Sequence, residues 1–353
     1  MMMKRYIVYV LILFSFLLAS LYVYNFVEAA STRFIESLTE KVAEAEREKT
    51  TVVIGEGEWL FFAPELRHLS AGQFWGDAAK KVSKASKPEY ADPLPAILDF
   101  KEQLENAGIA LIFVPIPAKA TIYPEKISDH GKVLGRTDEH HQAFYEMLRQ
   151  QGVNVLDLTD LFLEHRFNEA GVLYCRQDTH WSGQACILAA EAIVKEIGNR
   201  AWMEGIPKRK TILETQTVEI TGDLWKELGD KKIMKEKLQL SFVKEVNGSP
   251  SDDQSFGRSW RASPVVLLGN SHNLVFHAGG DMHGQGSGLP DHLAHQLGFA
   301  VDVVAVRGSG ATPSRLNLFR RRDNMRGKRV VVWCLSVREF TEGQGWRKVP
   351  VIR

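Results

Sequence analysis

Residues 95–117 read PAILDFKEQLENAGIALIFVPIP, in which an amphipathic segment, a glycine and an unbroken apolar run follow one another. The segment from Pro95 to Ala107 predicts a helix, and Gly108 ends it because glycine readily adopts the left-handed conformation that follows many helices. The run IALIFVPIP is typical of a strand that is buried on both faces of a parallel sheet. This stretch therefore indicates one unit of an α/β fold.

The same order of helix, glycine and strand recurs at 139–158 and at 291–306. Two further apolar runs, PVVLLG at 264–269 and RVVVWCL at 329–335, complete a set of five candidate strands. Such alternation predicts a three-layer α/β domain with a mainly parallel central sheet. An active site in such a fold lies beyond the carboxyl ends of the strands.

The N-terminus carries a long apolar segment. Tyr6 to Val27 is a 22-residue run broken only by two serines and one asparagine, and at about 1.5 Å per residue it can cross a hydrocarbon layer of about 30 Å. Lys4 and Arg5 precede it and, by the positive-inside rule, keep the N-terminus in the cytoplasm. Residues 1–29 are therefore predicted to be a transmembrane anchor, with the rest of the chain outside the cytoplasm. A cleaved signal peptide is the alternative, and it gives the same compartment.

Residues 30–50 connect the apolar segment to the remainder of the chain. Apolar residues recur there at three- to four-residue spacing among charged ones, which predicts an amphipathic helix that serves as a stalk; they are Phe34, Leu38, Val42 and Ala45. Residues 51–353 are then predicted to form one α/β domain. Within it, 203–258 is rich in charge and lacks clear periodicity, which indicates an excursion from the sheet.

The charge balance excludes one class of protein. The chain has 44 basic and 43 acidic residues. It contains no block of basic residues interleaved with aromatic ones, the pattern that would bind along a phosphate backbone. We therefore expect no nucleic-acid partner.

Three cysteines would lie in an oxidising compartment if the anchor is correct. Cys175 and Cys186 flank residues 176–185 and could form a disulfide that braces this segment, which would leave Cys334 free. Buried thiols are the alternative, since small cysteines are common in cores.

A candidate nucleophile follows the apolar run at 264–269. The sequence continues Asn270-Ser271-His272-Asn273, so that a serine stands just beyond the end of a strand. Gly269 permits a tight turn there, and the N–H of Ser271 could stabilise an oxyanion if a helical turn begins at this residue. Because residue 273 is Asn, the pattern departs from the Gly-x-Ser-x-Gly elbow of α/β-hydrolases. A serine that only caps a helix is the alternative.

A second signal is Asp178-Thr179-His180-Trp181. In an extended segment, residues two apart point to the same side, so the Asp178 carboxylate can lie beside the His180 imidazole and fix its tautomer. Ser182 is a plausible N-cap of the helix that follows, and Gly198 is a plausible terminator. The alternative is a loop aspartate that caps a turn, next to a histidine that bonds to a backbone carbonyl.

Together these segments resemble the alginate O-acetyltransferase family of SGNH-like enzymes, the AlgJ and AlgX type. The resemblance rests on DTHW at 178–181, on GNS at 269–271 about 90 residues later, on GEGEWLFF from Gly55, and on VVVWCLSVREF near the end. It implies that Ser271, His180 and Asp178 form a catalytic triad, in an order permuted relative to ordinary SGNH esterases. It further implies transfer of an acetyl group to an exopolysaccharide at the inner membrane, on the periplasmic side. A membrane-bound O-acyltransferase is the implied donor partner.

Other residues of the predicted site are less well defined. Arg307 and Gly308 follow a predicted strand, and Asn270 precedes the serine, so these three are candidates for oxyanion or substrate contacts. Five histidines crowd one short stretch, and their spacing fits no standard zinc motif; they are His272, His277, His283, His292 and His295. We therefore predict no metal and no cofactor.

Two other functions use the same residues differently. An esterase would combine the same triad with water as the acceptor. A scaffold that binds the polymer or partner proteins in an export complex would not need the triad at all.

Overall fold

The computed structural model describes residues 27–230, 232–246 and 260–353. The predicted membrane span lies outside these residues except for its last position, Val27. Within the described ranges, no helix is both long enough and apolar enough to cross a membrane.

Nine strands lie in the described ranges and form three sheets. They are β1 Val52–Ile54, β2 Leu60–Phe62, β3 Ala110–Ile116, β4 Asn154–Val155, β5 Thr211–Glu219, β6 Lys237–Glu245, β7 Val265–Gly269, β8 Asp302–Ala305 and β9 Val330–Ser336. The central sheet has the order β4-β3-β9-β7-β8, and every neighbouring pair in it is parallel. The five predicted strands and their parallel arrangement are thus confirmed.

Twelve α-helices accompany the strands in the part of the chain that the structure describes. They are α1 27–48, α2 Ala63–Ser70, α3 Ala79–Val82, α4 Leu94–Asn106, α5 Lys119–Ile122, α6 Glu139–Gln150, α7 Thr159–His165, α8 Gly183–Ile197, α9 Asp223–Leu228, α10 Leu289–Leu297, α11 Thr312–Arg321 and α12 Glu339–Glu342. The predicted boundaries of α8 are confirmed: the Ser182 hydroxyl accepts from the Ala185 N–H, and Gly198 has a positive φ of 65°.

The alternation of side chains along each central strand produces two separate apolar cores. In β9, Val332 points into one core and Trp333 into the other, as residues one apart on a strand must. The first core includes the apolar faces of α1, α8 and α10, and the second includes those of α4, α6 and α11. Helices therefore cover both faces of the sheet, and the predicted three-layer architecture is confirmed.

Helix α1 packs on the domain. All four apolar positions of the predicted stalk are buried, with Phe34 and Leu38 fully so, and they belong to the same core as Ile112 of β3 and Val332 of β9. The predicted amphipathic helix is confirmed. The predicted stalk is wrong, because the apolar face of this helix packs against the domain.

The predicted excursion contains an antiparallel ribbon of β5 and β6 with α9 between them. Leu238 and Leu240 of β6 are buried beside α8, where Gly183 leaves room for the Leu240 side chain. Residues 247–259 of the excursion lie outside the described residues. Helix α9 lies beside the segment that carries Asp178, since the Trp225 N–H donates to the Gln177 carbonyl at 3.1 Å.

The three cysteines are free and buried. Burial raises the pKa of each thiol above its ordinary value. The possible Cys175–Cys186 disulfide is therefore absent from the structure, and the buried-thiol alternative is the one observed.

Candidate active site

Ser271 lies at the carboxyl end of β7, an interior strand of the central sheet between β9 and β8. Gly269 ends the strand where any Cβ would collide with the Cys334 carbonyl of the neighbouring strand, so only glycine fits. A 3-10 turn then begins at Ser271 and runs to Asn273. The first N–H groups of a helical turn have no partner within the turn. The sequence of the strand end therefore presents both the hydroxyl and the N–H of Ser271 beyond the sheet edge.

The segment that carries Asp178 and His180 is a tight hairpin. Tyr174 pairs with Trp181 across it, and β2 supports it through a 2.7 Å hydrogen bond from the Leu60 N–H to the Arg176 carbonyl. The Trp181 indole N–H donates to the carbonyl of His272 at 2.9 Å. This bond joins the hairpin directly to the turn that begins at Ser271.

The three predicted triad residues meet in the structure. The Oγ atom of Ser271 lies 2.8 Å from Nε2 of His180, and Nδ1 of His180 lies 2.6 Å from Oδ1 of Asp178. Ser271 and His180 are each 6% exposed and Asp178 is 1% exposed. This geometry lets the imidazole take the hydroxyl proton while the carboxylate holds the other ring N–H and stabilises the imidazolium.

The second oxygen of Asp178 has partners that the sequence did not reveal. Oδ2 accepts from Nε2 of His283 at 2.8 Å and from the backbone N–H of Asp223 at 2.8 Å. Burial disfavours the charged carboxylate, but the charge and hydrogen bond of His180 and the hydrogen bond of His283 outweigh it. They hold the pKa of Asp178 well below its ordinary value. The candidate site therefore keeps this carboxylate ionised.

Lys119 also stabilises the hairpin, and the sequence analysis did not identify it. Its side chain is 2% exposed, and its ammonium donates to the carbonyls of Leu60, Arg176 and Asp178 at 2.6, 3.2 and 2.9 Å. Burial lowers the pKa of Lys119 from its ordinary value. A lysine at the start of a short helix gives no sequence signal for such a role, because lysines in that position are ordinarily on the surface.

The cluster of histidines divides between the site and the scaffold. His283 binds Asp178, whereas His272 is buried with its ring centroid 4.8 Å from that of His180. Burial, followed by the nearby His180 charge, lowers the pKa of His272 well below its ordinary value, which favours the neutral ring. His277 instead binds Asp291, with both carboxylate oxygens 3.0 Å from Nδ1.

One group of side chains in the described ranges is spaced closely enough to hold a metal ion. It consists of Asp178, His180 and Asp223. Their polar atoms are already engaged, because Asp178 binds His180 and both oxygens of Asp223 accept from Thr179. The absence of a metal from the function thus stays a prediction.

The other predicted contacts are arranged differently from the triad. The Arg307 side chain is 53% exposed and binds both carboxylate oxygens of Asp281, and Gly308 is an exposed residue with a positive φ of 82°. The amide of Asn270 is buried, where it accepts from the His272 N–H and donates to Glu339 at 3.3 Å. The structure does not bring the side chains of Arg307 and Asn270 to the Ser271 hydroxyl, and a role for these three residues in oxyanion or substrate contacts stays a prediction.

Most of the chain matches one family of known proteins. The model of the SGNH hydrolase-like domain of the acetyltransferase AlgX matches residues 52–337, which is most of the chain. The chain belongs to the alginate O-acetyltransferase family. The boundaries of this match agree with the stretch over which the sequence motifs resembled the family.

Curated relatives in this family match over part of their length. A probable alginate O-acetylase AlgJ of Pseudomonas syringae pv. tomato is 27% identical over 173 residues, which are 49% of this chain and 40% of the relative. The AlgJ of Pseudomonas aeruginosa, also named a probable alginate O-acetylase, is 29% identical over 147 residues, 42% of this chain and 32% of the relative. The matched segments thus span less than half of these relatives.

Two solved structures of the family share the fold. The O-acetyltransferase domain of Pseudomonas putida AlgJ has a TM-score of 0.59 at 21% identity and covers 82% of this chain and 92% of its own. Pseudomonas aeruginosa AlgX has a TM-score of 0.61 at 19% identity and covers 85% of this chain and 66% of its own. The SGNH-like α/β fold of this member of the family is therefore established.

Proposed function

We propose that this protein is an O-acetyltransferase that carries an acetyl group on Ser271 and passes it to a hydroxyl of an exopolysaccharide related to alginate. The observation that carries the proposal is the unbroken series of contacts from Asp178 through His180 to Ser271. The triad by itself indicates only acyl transfer. The choice of an acetyl group and of a sugar acceptor rests on membership of the alginate O-acetyltransferase family.

The reaction has two halves that use one proton carrier. Nε2 of His180 takes the hydroxyl proton as Oγ of Ser271 attacks the acetyl carbonyl of the donor, and the same proton then goes to the leaving group as the donor departs. A sugar hydroxyl next gives its proton to His180 and attacks the acetyl-serine carbonyl. Collapse of that intermediate returns the proton to Ser271 and releases the O-acetylated sugar.

The N–H of Ser271 is the proposed oxyanion donor. In the described structure the other N–H groups of its turn are occupied, since the His272 N–H donates to the side chain of Asn270 and the Asn273 N–H donates to its carbonyl. A donor of this type is worth about 3 kcal/mol, or roughly a hundredfold or more in rate.

The setting of the reaction is part of the proposal. We place residues 51–353 in the periplasm, held at the inner membrane by an anchor at 1–29, with a membrane-bound O-acyltransferase as the source of acetyl groups. The apolar run and the basic residues before it support this orientation, as does the family.

Mass spectrometry of the protein incubated with an activated acetyl donor tests the nucleophile. We expect the mass of one acetyl group on the wild type, located on the peptide that contains Ser271, and none on Ser271→Ala. Ser37→Ala, in helix α1, is the matched control and should acquire the acetyl group as the wild type does. An adduct that remains unchanged on Ser271→Ala would remove the nucleophile assignment.

The acceptor is tested separately from the nucleophile. Addition of an oligosaccharide should move the acetyl group from the protein to the sugar faster than acetate appears in solution. Release of acetate alone would identify an esterase with the same triad. Normal polymer acetylation in cells that carry only Ser271→Ala would identify a scaffold.

A further inference from the structure

The carboxylate of Asp178 receives four hydrogen bonds, which fill its acceptor sites. Oδ1 accepts from the backbone N–H of His180 at 3.0 Å and from Nδ1 of the same residue at 2.6 Å. Oδ2 accepts from the Asp223 N–H and from Nε2 of His283, both at 2.8 Å. Of the three partner residues, His283 is the one that binds Oδ2 through its side chain, since Asp223 uses its backbone and His180 binds Oδ1.

The backbone at His283 is held in an uncommon conformation. Its φ is +68°, in the left-handed region that few residues other than glycine, asparagine, aspartate and histidine adopt. Strain of this kind persists where the surrounding structure maintains it, and it concentrates at functional sites. Here the conformation belongs to the glycine-rich loop from Gly279 to Gly288, and it brings a side chain that is only 6% exposed onto Asp178.

We infer that His283 is a positioning residue that fixes the carboxylate of Asp178 for proton transfer between His180 and Ser271. This inference rests on the proposed function of the triad. The Nε2–H of His283 donates to Oδ2, so that Oδ1 is held in line with Nδ1 of His180. Without that donor, Oδ2 retains only the Asp223 N–H, and the carboxylate can turn toward solvent or take up a water.

Two residues that flank the loop supply an internal comparison for this role. His277 and Asp291 form a second histidine–aspartate pair in the same stretch of chain, with atoms 3.0 Å apart. Asp291 in turn accepts from the Gly288 N–H at the start of α10. That pair caps the start of α10 and contacts none of the three triad residues. Substitution of His277 therefore serves as a control for the loss of a histidine that is only structural.

Two substitutions at His283 separate its effect on stability from its effect on activity. The variant expected to be more stable is not the one expected to be more active. Asparagine tolerates the left-handed backbone well, but its side chain is too short to reach Asp178. Glutamine tolerates that backbone less well, but its amide nitrogen can occupy the position of Nε2. If the role is positioning, His283→Gln should be the more active variant although it is not the more stable one.

The experiment measures kcat and KM on 4-nitrophenyl acetate, together with the rate at which phenylmethanesulfonyl fluoride labels Ser271, followed by mass spectrometry. We expect His283→Asn to lower kcat and the labelling rate roughly tenfold to hundredfold, the range for one hydrogen bond to a charged group, and to leave KM within about twofold. His283→Gln should recover most of both rates, and the control His277→Gln should match the wild type.

Two results would overturn the inference: labelling of His283→Asn at the wild-type rate, or equal losses in His283→Asn and His283→Gln. Thermal unfolding of each variant verifies that the chains are folded under the assay conditions. Failure of the nucleophile assignment gives a different result, because phenylmethanesulfonyl fluoride would then label Ser271→Ala as fast as the wild type, whatever residue stands at 283.

Discussion

At the scale of single residues, Asp178 offers the sharpest test of the triad. Asp178→Asn keeps the shape of the side chain but replaces one acceptor oxygen with an NH₂ group, which favours the wrong tautomer of His180. We expect kcat for ester cleavage to fall by roughly 10⁴ while the fold is retained. Asp291→Asn, which alters the aspartate bound to His277, is the control and should leave kcat unchanged. Comparable kcat values for Asp178→Asn and the wild type would show that this carboxylate is not part of the mechanism.

Buried histidines predict how stability depends on pH. Burial lowers the pKa of His141 and of His292 to about 4. Because the unfolded chain binds these protons near pH 6.5 and the folded chain does not, stability is fully present above pH 6.5 and is lost as pH falls toward 4. By linkage, each group contributes up to roughly 3 kcal/mol to this loss.

The pH prediction is checked by chemical denaturation at pH 7 and pH 5. His292→Leu should reduce the difference in unfolding free energy between these two values, since Nε2 of His292 has no hydrogen-bond partner among the described residues. A difference as large as that of the wild type would contradict the linkage argument. His295→Leu, one turn away and partly exposed, is the matched control.

The sequence predicts some side chains of the site far better than others. Asp178 and His180 are two residues apart in an extended segment, and Ser271 follows a strand, so local geometry alone indicates where they point. His283 reaches Asp178 across 105 positions of the chain from a loop with no periodicity. Its role depends on tertiary packing, which a pattern of neighbouring residues does not encode.

At the scale of elements, α9 depends on one glycine beside the site. A Cβ at Gly222 would collide with the carbonyl of Gln177 in the hairpin. Gly222→Ala should therefore push α9 away and withdraw the contacts of Asp223 with Thr179 and Asp178, which lowers kcat by about tenfold or more, as expected for loss of a hydrogen bond to a charged group. Steady-state kinetics of the ester reaction provide the measurement.

Another glycine of the excursion provides the control for this substitution. A Cβ at Gly205 would meet no atom within 4 Å, and the φ of this residue is not positive. Gly205→Ala should thus be neutral in both kcat and thermal stability. Equal behaviour of the two variants would mean that the position of α9 has no influence on the site.

The five strands of the central sheet and several of the helices around it were predictable individually, but the order of strands in the sheet was not. Continuous apolar runs such as VVLLG and VVVWCL identify buried strands by composition, and a glycine after a helix marks its end. The sheet places β9 between β3 and β7, although β9 comes last in the chain. This pairing joins Ala110 to Val330, so it depends on contacts between distant segments.

At the scale of the whole molecule, α1 is part of the folded domain. Phe34 is fully buried in the core that includes β3 and β9, so Phe34→Ala should lower the free energy of unfolding by about 3 to 5 kcal/mol. The exposed Glu36→Ala on the same helix is the control and should change it by less than about 0.5 kcal/mol. Denaturant titration of both variants decides the matter: a free-standing stalk would give two small and equal effects.

The amphipathic pattern of α1 could not distinguish these arrangements. An apolar stripe indicates that one face of a helix is covered, but it does not identify what covers it. In this chain Phe34 and Leu38 lie against the domain itself. The sequence therefore specifies the buried face, and only the folded molecule specifies its partner.

The four donors that surround Asp178 come from three places in the chain: its own hairpin, the start of α9 at Asp223 and the loop at His283. A molecule that is still folding, or in which residues 203–258 have detached, lacks some of these donors. Its Ser271 hydroxyl is therefore not activated for attack. Under the proposed mechanism, such a molecule would not waste the acetyl donor on water. The hydroxyl thus becomes reactive late in folding, once distant segments of the chain have packed around the Asp178 carboxylate.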